Sequence, residues 1–114
     1  MLSKSDILSK KVALPFTDVE CMGGTIRVQA MTAGTRDIFE QRMGNLEELE
    51  KGVSKNLRAT FLIHCIVDES NELMFSMDDV GALSEKSSVE LDKLFDAAQR
   101  INGLHDSEAE TKKK

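Results

Sequence analysis

Two alternating runs, residues 16–22 and 25–31, flank Gly23-Gly24, and no other stretch of the chain constrains its fold so tightly. A two-residue link between such runs makes a hairpin, because glycine readily adopts the positive φ angles of a primed turn. Pairing Met22 with Thr25 sets Cys21 opposite Ile26 and Val19 opposite Val28 on one face. Glu20 then opposes Arg27 on the other face, a favourable charge pair. One register thus yields an apolar face and a polar face.

Beyond the hairpin the periodicity turns helical. Thr32 is placed to cap a helix running to about residue 43, with Ile38, Phe39, Arg42 and Met43 at helical spacing and Gly44 as its stop. Asn45 with Glu48 marks a short helix over residues 46–51, closed by Gly52. Ser54 opens a further helix that becomes apolar nearly all round from Ala59 to Val67, the mark of a buried centre. Its β-branched residues leave a strand open, although residues 55–67 are a long run for one. Asp68-Glu69-Ser70-Asn71 reads as a turn and Leu73-Met74-Phe75 as a brief extended piece. Ser76 with Asp79 and Ser87 with Glu90 have capping-box spacing. The second opens a helix with Leu91, Leu94, Phe95, Ala98 and Ile101 on one face, stopped by Asn102-Gly103. The expected fold is α+β and mostly helical: an N-terminal β-hairpin packed on four to five helices. Residues 1–14 are expected to form a flexible segment, 15–104 a single domain, and 105–114 a disordered charged tail.

Five Phe and no Trp or Tyr leave aliphatic and Met side chains to fill the core. Cys21 and Cys65 have no paired spacing and sit among apolar residues, as expected of buried thiols in a reducing compartment. No apolar run approaches membrane-span length, and the N-terminus lacks the apolar core of a signal peptide. The formal net charge is −5, with acid concentrated between Asp68 and Asp96. A duplex-binding protein presents a basic face, so neither nucleic acid nor membrane is expected as a partner.

Reactive constellations are scarce in the chain. His64 and Cys65 are adjacent, about 100° apart on a helix, and cannot pair as nucleophile and base. Asp68, Ser70, Glu72, Ser76 and Asp79 fall at calcium-loop positions, but Leu73 occupies the place that requires glycine. Gly23-Gly24 lacks the Lys-Ser/Thr of a phosphate loop and leads into a strand. No catalytic residue, metal site or cofactor is expected, and the chain reads as a protein that binds other proteins. Met22, Met31, Met43, Met74 and Met77 lie near element ends, where flexible thioethers suit adaptable contacts, and these five are the candidate protein-contact residues. The alternative for the same residues is gap-filling in a core short of aromatics.

Several blocks in order carry a resemblance: MLSKSDILS, VECMGGTIRVQAM running into TAGTRDIFEQ, LRATFLIHCIVDESNELMFSMDDVGAL, and SSVELDKLFDAAQRINGL. Over about residues 1–104 the chain resembles the tail assembly chaperones of long-tailed bacteriophages and prophages. The resemblance implies that the chain coats the aggregation-prone tape-measure protein and helps recruit major tail-tube subunits. It also implies action in the host cytoplasm and absence from the mature virion. Many such genes yield a longer form by a −1 frameshift near the end of the short form, and the codons of Lys112-Lys113-Lys114 are a candidate slippery site. Repeated binding along one long client favours self-association, so a homo-oligomer is expected, with the hairpin edge and the Met-bearing element ends as contact surfaces. The alternative function is a small acidic helical adaptor or regulatory module. A DNA-binding regulator ranks below it, because neither residues 54–67 nor 87–101 offer a basic recognition face.

Overall fold

The computed structural model describes residues 1–9, 14–43 and 56–104, with side chains excluded at 42 and 43. The elements follow in the order α1 (Lys4–Ser9), β1 (Phe16–Cys21), β2 (Gly24–Gln29), α2 (Ala33–Met43), α3 (Leu57–Leu62), β3 (Ile66–Val67), a 3₁₀ turn (Met77–Asp79), α4 (Val80–Ser84) and α5 (Ser88–Ile101). The fold is α+β: a three-stranded antiparallel sheet in the order β1-β2-β3, with α5 packed against β1 and β2 and α3 packed on α5. The proposed helix at 46–51, the stop at Gly44, the start at Ser54 and the tail at 105–114 lie outside the described residues.

The hairpin forms, but two residues out of the expected register. Val19 pairs with Ile26, Cys21 with Gly24, and Asp18 with Arg27. The turn is Met22-Gly23, at φ 54° and 79°, in place of Gly23-Gly24. A shift of two preserves parity, so the same side chains still face inward. What changes is the partner of Arg27. Its guanidinium bonds both carboxylate oxygens of Asp18, at 2.9 and 3.3 Å, reaches Asn71 Oδ1 at 3.1 Å, and stacks 4.1 Å from the Phe16 ring centroid. Glu20 instead accepts from Thr25 Oγ1 at 2.6 Å. A bidentate, ring-stacked guanidinium is a stronger pairing than a single charge opposition.

The apolar run after Leu57 is shared between two elements. Helix α3 covers its first part; the chain then tightens through His64 N–H to Phe61 O and Cys65 N–H to Leu62 O, and continues as β3. The expected continuous helix to Val67 is therefore half right. Ile66 and Val67 are β-branched and fit a pleated surface. They pair with Val28 and Arg27, completing the sheet from the middle of the chain. Gln29 N–H to Cys65 O (2.8 Å) and Met74 N–H to Ile66 O (3.1 Å) tie in the flanking residues, and Leu73 bridges Val67.

The core lies between this sheet and α5. Phe39, Phe61, Leu62, Ile66, Leu94, Val28 and Cys65 are fully buried. Phe61 meets Phe39 and Phe95 edge-on, with centroids 5.3 and 5.5 Å apart, the arrangement that ring quadrupoles favour. Leu91, Leu94 and Ala98 of α5 are buried, as their spacing requires.

The caps divide. Thr32 Oγ1 accepts from Thr35 N–H at 3.1 Å and starts α2. Ser76 and Asp79 form the expected reciprocal pair, with Ser76 N–H to Asp79 Oδ2 at 2.8 Å. Ser87 makes no side-chain cap. The expected partner Glu90 has been taken by the hairpin: its Oε2 accepts the Met22 N–H at 3.3 Å and lies 3.8 Å from Lys93 Nζ. Within residues 1–14, Lys4–Ser9 is helical, closed by Ser3 N–H to Asp6 Oδ2 (3.0 Å) and Asp6 N–H to Ser3 Oγ (3.1 Å).

Candidate protein-contact surface

The five methionines occupy different environments. Met22 sits at the tip of the hairpin, 44% exposed, in the left-handed region that side chains other than Gly, Asn and Asp seldom enter. Its position is fixed by its own N–H on Glu90, so the tip is held against the first turn of α5. Exposed Val89 stands on that same turn. Met74 and Met77, 51% and 47% exposed, follow exposed Leu73 in the segment between β3 and α4. Met31 is half-buried against the core, and its N–H donates to Asn102 Oδ1 at 2.9 Å. The side chain of Met43 lies outside the described residues. The chain thus presents Met22 at the hairpin tip and Leu73, Met74 and Met77 along one connection, while Met31 lines the rim of the core.

Met74 also lines an open groove of about 690 Å³, with Asp18, Ile26, Arg27, Val67, Asp68 and Glu69 among its walls. The turn that forms one wall is locked by Asp68, whose Oδ1 accepts from Ser70 N–H at 2.8 Å and Glu72 N–H at 3.1 Å. Asn71 completes it at φ 64°. Of the residues that suggested a calcium loop, Asp68 is thereby committed to a turn and Ser76 and Asp79 to their mutual cap, and among the described residues no group of three or more His, Cys, Asp or Glu side chains is placed to hold a metal. The Arg27 guanidinium holds the Asp18 carboxyl below its ordinary pKa, and Asp18 in turn raises that of Arg27.

The remaining nucleophiles point inward. His64 Nδ1 donates to Thr60 O at 2.8 Å, since a carbonyl only accepts. Burial pushes the Cys65 thiol up to about 12, and Asn102 Nδ2 approaches its sulfur at 3.6 Å. Burial, with the Glu90 carboxylate adding to it, pushes the Cys21 thiol up as well. Neither sulfur has the depressed pKa or the exposure of a reactive cysteine.

Methionine spacing gives no sign of the other exposed apolar side chains: Leu2, Ile7, Leu8, Phe16, Ile38, Leu73 and Val89. Phe16 was findable, because strand parity puts it on the face of Asp18 and Glu20. Ile7 and Leu8 were hidden in a segment too short and polar to show periodicity. Among the described residues no helix is long and apolar enough to cross a membrane. Comparison with protein-family models, with curated proteins and with solved structures finds no match to the chain.

Proposed function

We propose that this chain is a tail assembly chaperone of a long-tailed bacteriophage or prophage. It binds and solubilises the tape-measure protein in the host cytoplasm, helps recruit tail-tube subunits, and is left out of the finished virion. The observation that carries this reading is the ordered series of sequence blocks across residues 1–104.

The exposed surface supports it. A chaperone for a long, helical, apolar client needs apolar side chains kept outside an otherwise soluble, charged exterior. Met22, Leu73, Met74, Met77 and Val89 are such side chains on a chain of net charge −5.

Co-expression with the long tape-measure product of the same gene cluster tests the reading. The client is expected in the soluble fraction, bound to this chain. A client that stays insoluble, while the chain itself is folded and abundant, rules the chaperone role out and leaves the acidic adaptor.

A further inference from the structure

We propose that Glu90 is a two-position latch: it holds the hairpin tip on α5 through Met22, and on letting go it returns to Ser87 and completes the cap of its own helix. The first observation is an unfinished cap. Ser87 stands at the N-cap position of α5, because its carbonyl accepts the Leu91 N–H at 3.0 Å. Its backbone, at φ −52° and ψ 132°, lies at the margin of the extended region that an N-cap residue takes. Glu90 follows three residues later, the spacing of a reciprocal capping box. Yet the Ser87 side chain caps nothing, and its N–H meets no acceptor among the described residues. Ser76 and Asp79, with the same spacing in the same chain, close in both directions. What differs at Ser87 is a second claim on its acid.

That claim comes from the hairpin. Glu90 Oε2 accepts the Met22 N–H at 3.3 Å and lies 3.8 Å from Lys93 Nζ. The side chain reaches out to the tip, whereas closing the box requires it to fold back along its own first turn, so the two bonds exclude each other. Little else holds the tip. Met22 is exposed at φ 54°, and a Cβ at Gly23 or Gly24 would meet no atom within 4 Å. Each position of Glu90 thus satisfies one main-chain N–H and leaves the other to water, and the gain of a helix cap offsets the loss of the tip bond.

Release has a defined consequence. Cys21, the last residue of β1, is 6% exposed and lies where the charges of Glu90 and Lys93 act on its thiol. Lifting the tip uncovers that sulfur and separates Met22 from Val89, two exposed apolar side chains, so the latch sets what this end of the molecule presents to a partner. The device belongs to the chain alone and does not rest on the chaperone reading, so its failure and failure of the solubilisation test are separate outcomes.

Thiol labelling of the full chain with excess N-ethylmaleimide, read by peptide mass spectrometry, tests it. Cys65 is fully buried and reports global unfolding, and Cys21 is expected to react faster, through the lifted tip. Glu90→Ala removes the tie and should speed Cys21 alone. Ser87→Ala removes a hydroxyl that makes no cap bond in the latched state but completes the box in the released one. It should therefore slow Cys21 about fivefold, the factor that one side-chain cap is worth. In a Glu90→Ala background the same serine change should have no effect, since the two residues act as a pair. Loss of stability speeds labelling at both sulfurs, so slowing at Cys21 with Cys65 unchanged separates the latch from a weakened fold. Equal rates at Cys21 and Cys65, a Glu90→Ala chain no faster at Cys21, or a Ser87→Ala chain that labels Cys21 at the parent rate or faster would each overturn the proposal.

Discussion

Met22 occupies a position that its side chain does not suit. A primed hairpin turn favours Asn-Gly at its two central residues, and the chain has Met-Gly at φ 54° and 79°. Holding a residue of this type in the left-handed region costs about 1 kcal/mol or more. Met22→Asn should therefore raise the unfolding free energy by about 1 kcal/mol in urea titration, while removing an exposed thioether from the hairpin tip. If the tip contacts a client, the more stable protein will be the poorer binder. Asn102 shows the opposite case, a polar side chain serving three groups at once. It accepts from Met31 N–H, donates to Ala98 O at 2.8 Å and approaches Cys65 Sγ. Asn102→Ala leaves a partly buried amide unpaired and should cost about 1–3 kcal/mol by the same titration.

Cys65 carries a pH dependence whose sign follows from its burial. Its ordinary value is 9.0 and its folded value is about 12, so below pH 9 the thiol is protonated in both states and no stability is lost. Above pH 9 the unfolded chain releases the proton first, and stability falls as pH rises toward 12, at up to about 1.4 kcal/mol per unit. Replacing Cys65 with Ala should lower overall stability but flatten this alkaline slope in denaturation curves collected between pH 8 and 11.

At the scale of elements, α5 is the part most completely legible in the sequence. Its apolar spacing placed Leu91, Leu94 and Ala98 in the core, where all three are found. Leu94→Ala opens a cavity at the junction of sheet and helices and should cost about 2–5 kcal/mol, measured by thermal or urea unfolding. Legibility fails where tertiary partners decide. Ser87 and Glu90 have capping spacing, yet Glu90 is drawn to the hairpin tip, 68 residues away in sequence. The apolar run from Ala59 to Val67 reads as one element by composition, but β2 offers an unpaired edge and captures Ile66 and Val67 as a third strand. The hairpin faces were readable because strand parity survives a two-residue slip. The register was not, because it depended on how many groups Arg27 could satisfy together. The exposed apolar surface was half readable. Exposure of Met22, Met74 and Met77 agrees with their placement near element ends, whereas Met31 is held at the core rim and the aliphatics of α1 gave no periodic signal.

For the whole molecule, net acidity and exposed apolar groups act together. The net charge of −5 opposes non-specific aggregation, and the exposed apolar side chains offer attraction over small areas. Salt bridges such as Arg58–Asp92, Arg36–Glu40 and Arg100–Asp96 are exposed and add little to folding. Stability therefore rests on the core, and the surface is left to interactions. Changing Met74 and Met77 together to Glu should leave the unfolding midpoint within about 0.5 kcal/mol of the parent, since surface substitutions rarely do more. The same change should weaken any client binding.

The most direct measurement is the soluble fraction of the co-expressed tape-measure product with the parent chain, with the Met74→Glu/Met77→Glu chain, and with neither. A tail assembly chaperone working through this surface predicts a soluble complex with the parent, a reduced yield with the doubly substituted chain, and aggregation without either. Equal aggregation in all three, with both chains folded, would contradict the chaperone role; equal solubility with both chains would contradict the surface.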